Sequence, residues 1–124
     1  MAKVFLDANY FIDLVEERKQ EVSLNKFREQ QLFISSLSIH ILTYIYKYKI
    51  PDKGLNVALK KFNIIDLDKQ VVDKSLLGPT SDFEDNIQLH SAAEAECDLF
   101  LTEDKKLLDL KFFGKTQVVN SISQ

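Results

Sequence analysis

Three acids in this chain, Asp7, Asp85 and Asp104, fall where an acid can do chemistry. Asp7 follows the apolar triplet Val4-Phe5-Leu6 and is followed at once by Ala8 and Asn9. Asp82, Glu84 and Asp85 form a second group, and Glu103 and Asp104 a third, just past Leu99-Phe100-Leu101. An acid at the end of a buried strand and the start of a helix lies at the carboxyl edge of an α/β sheet, where such sheets bind ligands. Carboxylates gathered at one edge disfavour each other's ionised forms. A divalent cation removes that penalty. Mg²⁺ takes carboxylate oxygens, keeps several waters and bridges readily to phosphate, so the chemistry such a cluster supports is metal-assisted phosphodiester hydrolysis. Helix capping accounts for one such acid on its own. It does not account for several at equivalent places.

The elements that must position these acids are legible as an alternation. Val4–Leu6, Leu32–Ile34, Asn63–Ile65, Asp98–Leu101 and Gln117–Val119 read as five short strands. Helical spacing links Tyr10, Phe11, Leu14 and Val15. It recurs in Val22, Leu24 and Phe27; in Ile39, Leu42, Ile45 and Tyr46; and in Leu55, Ala58, Leu59 and Phe62. Further helices carry Val71, Val72 and Leu76, then Ile87 with Ala92-Ala93, then Leu107, Leu108 and Leu110. Asp68 and Asp82 are expected N-caps. Strands alternating with helices imply βαβ crossovers. The expected fold is one three-layer α/β/α domain over residues 1–124 with a parallel, roughly five-stranded sheet. On it, Asp7 and Asp104 share one edge, and the helix leading into the fourth strand brings Asp85 there.

Composition limits the alternatives. At 124 residues the chain suits one domain. Sixteen bases against nineteen acids exclude a protein that coats nucleic acid by bulk charge, but not a nuclease whose acids are neutralised by metal. One cysteine, Cys97, excludes an internal disulfide and a cysteine zinc cage. No signal peptide and no membrane span are expected, so a cytoplasmic setting is. Cys97 and His90 read as packing residues. Tyr44, Tyr46 and Tyr48 cannot share one helix face, so at least one is expected to be exposed, at a partner or dimer surface. Lys105, Lys106, Lys111 and Lys115 read as a solvated face or as RNA-backbone contacts.

Phe5-Leu-Asp-Ala-Asn9 with Asp13, then Asp82-Phe-Glu-Asp85, then Leu101-Thr-Glu-Asp104, resembles a PIN domain over the whole chain. This is the nuclease fold of the VapC-type toxins of bacterial toxin–antitoxin pairs. The resemblance implies a ribonuclease using Mg²⁺ or Mn²⁺, an RNA substrate, a cognate antitoxin and a homodimer. It assigns Asp7, Asp85 and Asp104 as catalytic, metal-binding acids, with Asn9, Thr102 and Asp82 in support. The family usually carries a glutamate in its third helix, in a pattern like Ser-x-Leu-Thr-x-x-Glu. Here Ser35-Ser-Leu-Ser-Ile-His-Ile41 places Ile41 at that position. Three readings of the change stand open: a site working with three acids, His40 as a substitute, or a domain that binds RNA or a protein partner without cutting. A haloacid-dehalogenase-type phosphoryl transferase also ends its first strand in Asp, but usually repeats it two residues later, where this chain has Asn9.

Overall fold

The computed structural model describes residues 1–16 and 27–122. The triplet Val4-Phe5-Leu6 is fully buried, and β1 (Lys3–Leu6) runs through the middle of the sheet. Around it lie β2 (Gln31–Ser35), β3 (Asn63–Ile65), β4 (Leu99–Leu101), β5 (Phe112–Phe113) and β6 (Thr116–Val119), in the order β3-β2-β1-β4-β6-β5. All pairs are parallel except β5–β6. The helices are α1 (Ala8–Val15), α2 (Ser36–Ile45), α3 (Lys53–Leu59), α4 (Lys69–Ser75), α5 (Phe83–Glu94) and α6 (Lys105–Leu108).

Strand alternation divides the core into two layers. Val4 and Leu6, Leu32 and Ile34, and Leu101 point to one face, where they pack with Tyr10, Phe11 and Leu14 of α1, Leu42 of α2 and Leu55 of α3. Phe5, Phe33 and Phe100 point to the other, against Leu89 and Ala92 of α5 and Leu107 of α6. Phe5 and Phe100 stack across adjacent strands with ring centroids 5.5 Å apart. Helices cover both faces, as βαβ crossovers require.

Two details differ from the sequence expectation. The sheet has a sixth strand: Phe112-Phe113 turns back through Gly114-Lys115 and pairs antiparallel with β6, Gly114 taking a positive φ of 60°. A strand of two residues is too short to leave a periodic signal. Of the helix expected over Val22, Leu24 and Phe27, residues 22 and 24 lie outside the described residues, and 27–30 form a turn into β2. No helix among the described residues is long and apolar enough to cross a membrane.

Candidate functional site

The strand order determines where the site forms. From β1 the chain proceeds to β2 and β3 on one side. It then returns through α4 and α5 to place β4 on the other side of β1. Connections leaving β1 and β4 therefore diverge, and the crevice between their carboxyl ends is the topological switch point. Asp7 follows β1 directly, and Thr102-Glu103-Asp104 follows β4. The amide of Asp7 donates to the Leu101 carbonyl at 3.0 Å, locking the two strand ends together.

Asp7 is buried, and both carboxylate oxygens accept hydrogen bonds. Oδ1 accepts from the Ala8 amide at 2.8 Å, capping α1, and Oδ2 accepts from Thr102 Oγ1 at 2.7 Å. The same Thr102 hydroxyl accepts from the Asp104 amide at 3.0 Å. One fully buried hydroxyl thus joins the two strand-end acids. Asp104 is exposed and caps α6, its Oδ1 accepting from the Lys106 amide at 2.9 Å. Asp82 caps α5 through the Asp85 amide at 2.9 Å, which sets Glu84 and Asp85 in that helix's first turn. Asn86 anchors the incoming loop. Its amide donates to the carbonyls of Ser75 and Thr80, each at 2.9 Å, and its oxygen accepts from the Thr80 amide and hydroxyl.

These acids share one electrostatic field. Burial pushes the Asp85 carboxyl up to about 6, and the charges of Asp82, Asp7, Asp104 and Glu84 push the same way. Asp7 is raised chiefly by burial, with smaller contributions from Asp104 and Asp82, against the lowering hydrogen bonds from Thr102 and Ala8. Glu84 is raised by burial and by Asp82 and Asp7. An oxygen-only donor set under mutual repulsion suits a hard divalent cation rather than zinc. As they stand, no three of the described His, Cys, Asp or Glu side chains gather tightly enough to cage an ion. Asp7 and Asp104 are instead turned to the N–H donors of their own helices. A cation here would engage one or two carboxylates and complete its shell with water, which is the usual habit of Mg²⁺.

Thr102→Val tests the shared hydroxyl. The methyl keeps the shape but leaves a buried carboxylate oxygen and the Asp104 amide without their partner, so a loss of about 2 kcal/mol is expected at neutral pH. Because the hydroxyl stabilises the ionised Asp7, the loss should shrink as pH falls through the folded-state pKa. Equal losses in denaturant melts at pH 7 and pH 4 would rule this role out.

The other expected residues fall as follows. Asn9 is exposed in the first turn of α1, and no hydrogen bond ties its amide to an acid among the described residues. Ile41 is half-buried on α2 and packs against the cluster containing Leu6 and Leu42. His40 is exposed and stacks on Tyr44. Tyr44, within α2, is 76% exposed, as expected of at least one of the three tyrosines, while Tyr46 and Tyr48 lie past the last helical residue and the Tyr48 hydroxyl donates to Glu16. Cys97 is buried, its thiol raised by burial to about 12, as a packing residue should be. His90 Nε2 meets the Gly78 carbonyl at 2.9 Å and its ring meets Phe113 edge-on. One pair escaped the sequence reading. Gln88, fully buried one turn after Asp85, accepts from Ser38 of α2 at 3.4 Å, and its Nε2 has no partner among the described residues. The only sequence signal was an amide between Ile87 and Leu89, i+3 from Asp85.

A doubly wound α/β domain with an acid cluster at its switch point is a class that includes metal-assisted nucleases. The chain belongs to the PIN domain family, whose members are generally nucleases: the family's model matches residues 4–112. Among solved structures it is similar to a chain of VapBC2 from Rickettsia felis bound to a DNA fragment from their promoter. The TM-score is 0.67 at 16% identity, covering 97% of this chain and 99% of that one. It is also similar to a chain of DNA-bound VapBC from Salmonella typhimurium, with a TM-score of 0.64 at 17% identity, covering 96% and 98%. At those identities the likeness is one of fold. No curated protein matches it by sequence.

Proposed function

We propose that this PIN domain is a Mg²⁺- or Mn²⁺-dependent endoribonuclease, the toxin of a toxin–antitoxin pair. The observation that carries the reading is the shared field of Asp7, Asp82, Glu84, Asp85 and Asp104 at the switch point, with Asp7 and Asp104 joined by Thr102. Asp7, Asp85 and Asp104 would hold the ion. Bound there, a divalent cation supplies Lewis-acid stabilisation of phosphate charge and a water activated for attack. The protein's own part is positional. Thr102 orients Asp7, and Asp82 fixes the turn that carries Asp85. The partners of this reading are RNA, a cognate antitoxin and a second copy of the chain, and the likeness to VapBC chains supports the antitoxin.

The test is cleavage of a mixed RNA. We expect cleavage with Mg²⁺ and none with EDTA, and at limiting Mg²⁺ a rate that rises with pH, because the ion must displace the proton that burial and repulsion hold on metal-free Asp85. Intact RNA in Mg²⁺ at pH 8 would overturn it. A second reading, a PIN domain that binds without efficient cutting, is favoured by Ile41 and by the absence of a ready three-acid cage among the described residues.

A further inference from the structure

Residues 44–61 depart from the charge balance of the rest of the chain. They carry five lysines, at 47, 49, 53, 60 and 61, against one aspartate, while the remainder carries eleven bases against eighteen acids. All five lysines are exposed, and none is in an ion pair among the described residues. The one acid, Asp52, is engaged as the cap of α3, accepting from the Leu55 amide at 2.9 Å. A merely solubilising face would mix signs, as Lys69 and Asp73 do on α4 at 2.6 Å. Here the cations are interleaved with exposed Tyr44, Ile45, Ile50 and Val57.

α2 connects this strip to the acid edge. It starts directly after β2, at the carboxyl end of the sheet, and at 1.5 Å per residue Tyr44 lies about 12 Å along it from Ser36. His40 and Tyr44, one turn apart and both exposed, align their rings with centroids 6.3 Å apart and 24° between planes. Aligned π-faces beside unpaired cations form the surface that single-stranded nucleic acids use: bases stack and phosphates meet ammonium groups. An acidic peptide would match the charge alone and has no use for the ring pair.

We propose that the His40–Tyr44 face of α2, with Lys47, Lys49 and Lys53, is the docking track for single-stranded RNA leading to the acid edge. The proposal rests on the reading of RNA as substrate and adds where the strand runs.

The experiment is fluorescence anisotropy of the full chain with a labelled 12-nucleotide RNA in EDTA, so that binding is read without cleavage. Lys47→Glu/Lys49→Glu/Lys53→Glu is expected to raise Kd at least about 30-fold and to flatten the log Kd–log salt slope by about 2, three phosphates at about 0.7 each. Tyr44→Ala should cost about 10-fold through lost stacking. Lys69→Glu/Lys74→Glu, the same reversal of sign on α4, should stay within about twofold of wild type. The track is overturned by any of four results: no binding by wild type, a track variant within twofold, an equal loss in the control, or polyglutamate competing as well as RNA. Cleavage in Mg²⁺ is a separate readout. A chain that binds through the track but never cuts overturns the nuclease reading, whereas one that cuts with the track variants binding normally overturns only the track.

Discussion

Asp7→Asn is expected to lower RNA cleavage by about 1,000-fold, roughly 4 kcal/mol in the barrier, while making the metal-free protein more stable by about 1 kcal/mol. The two effects have one cause. Asp7 is buried beside Asp104 and Asp82, and its carboxyl is raised above the usual carboxylate range, chiefly by burial. A raised carboxylate binds protons more tightly folded than unfolded, so its ionisation costs stability as pH rises above the ordinary value, and that cost is absent below it. Asparagine keeps the shape and the acceptor for the Ala8 amide but removes the charge. Its stabilisation should therefore be present at pH 7 and fade as pH falls through the raised folded-state pKa toward the ordinary carboxylate range. Cleavage needs the charge that folding disfavours, because a cation has no reason to stay beside a neutral amide. Urea melts across that pH range and a cleavage assay in Mg²⁺ decide the matter. Retained cleavage within tenfold would remove Asp7 from the catalytic set, and a variant less stable at pH 7 would show that the ionised Asp7 is not a net cost to the fold.

That coupling explains which parts of the molecule were legible in advance. β1 and β4 were legible because they are buried on both faces and so read as unbroken apolar triplets. Asp7 was legible because it ends one of those triplets, and Asp104 because it follows the other within three residues. Asp68 and Asp82 were legible as caps because capping is local, the partner amide lying three residues on. What stayed hidden depends on contacts between distant residues. The strand order that places β4 beside β1 joins residues about a hundred positions apart. The Ser38–Gln88 contact spans 50 positions, and Thr102 and Asp7 are 95 apart. Thr102 itself was named through its motif, but its double hydrogen bond, holding Asp7 while receiving the Asp104 amide, has no one-dimensional signature. Asn9 was likewise named through the family motif, and the structure places it exposed in the first turn of α1. The two-residue β5 left no pattern to find.

Ile41→Glu should destabilise the metal-free protein by about 3 kcal/mol and regain most of that loss in Mn²⁺. Ser38 of α2 reaches Gln88 of α5, and Gln88 lies one turn after Asp85. Ile41 lies one turn after Ser38 on the same helix, and helical side chains lean toward the preceding turn. Position 41 therefore continues the face of α2 that meets the acid-bearing helix. There the native residue is apolar and half-buried against the core containing Leu6 and Leu42. A carboxylate placed among Asp7, Asp85 and Asp104 adds desolvation and repulsion to a field that already raises Asp85 to about 6. A divalent cation reverses the sign of both, since the fourth charge that repels in its absence binds in its presence. We expect Mn²⁺ affinity to rise at least about tenfold and cleavage to rise with it. Isothermal titration with Mn²⁺ and thermal melts with and without the ion read the two halves separately. Lower stability with no gain in affinity would place residue 41 in the core and outside the site. His40 or another acid would then stand as the candidate for the fourth position.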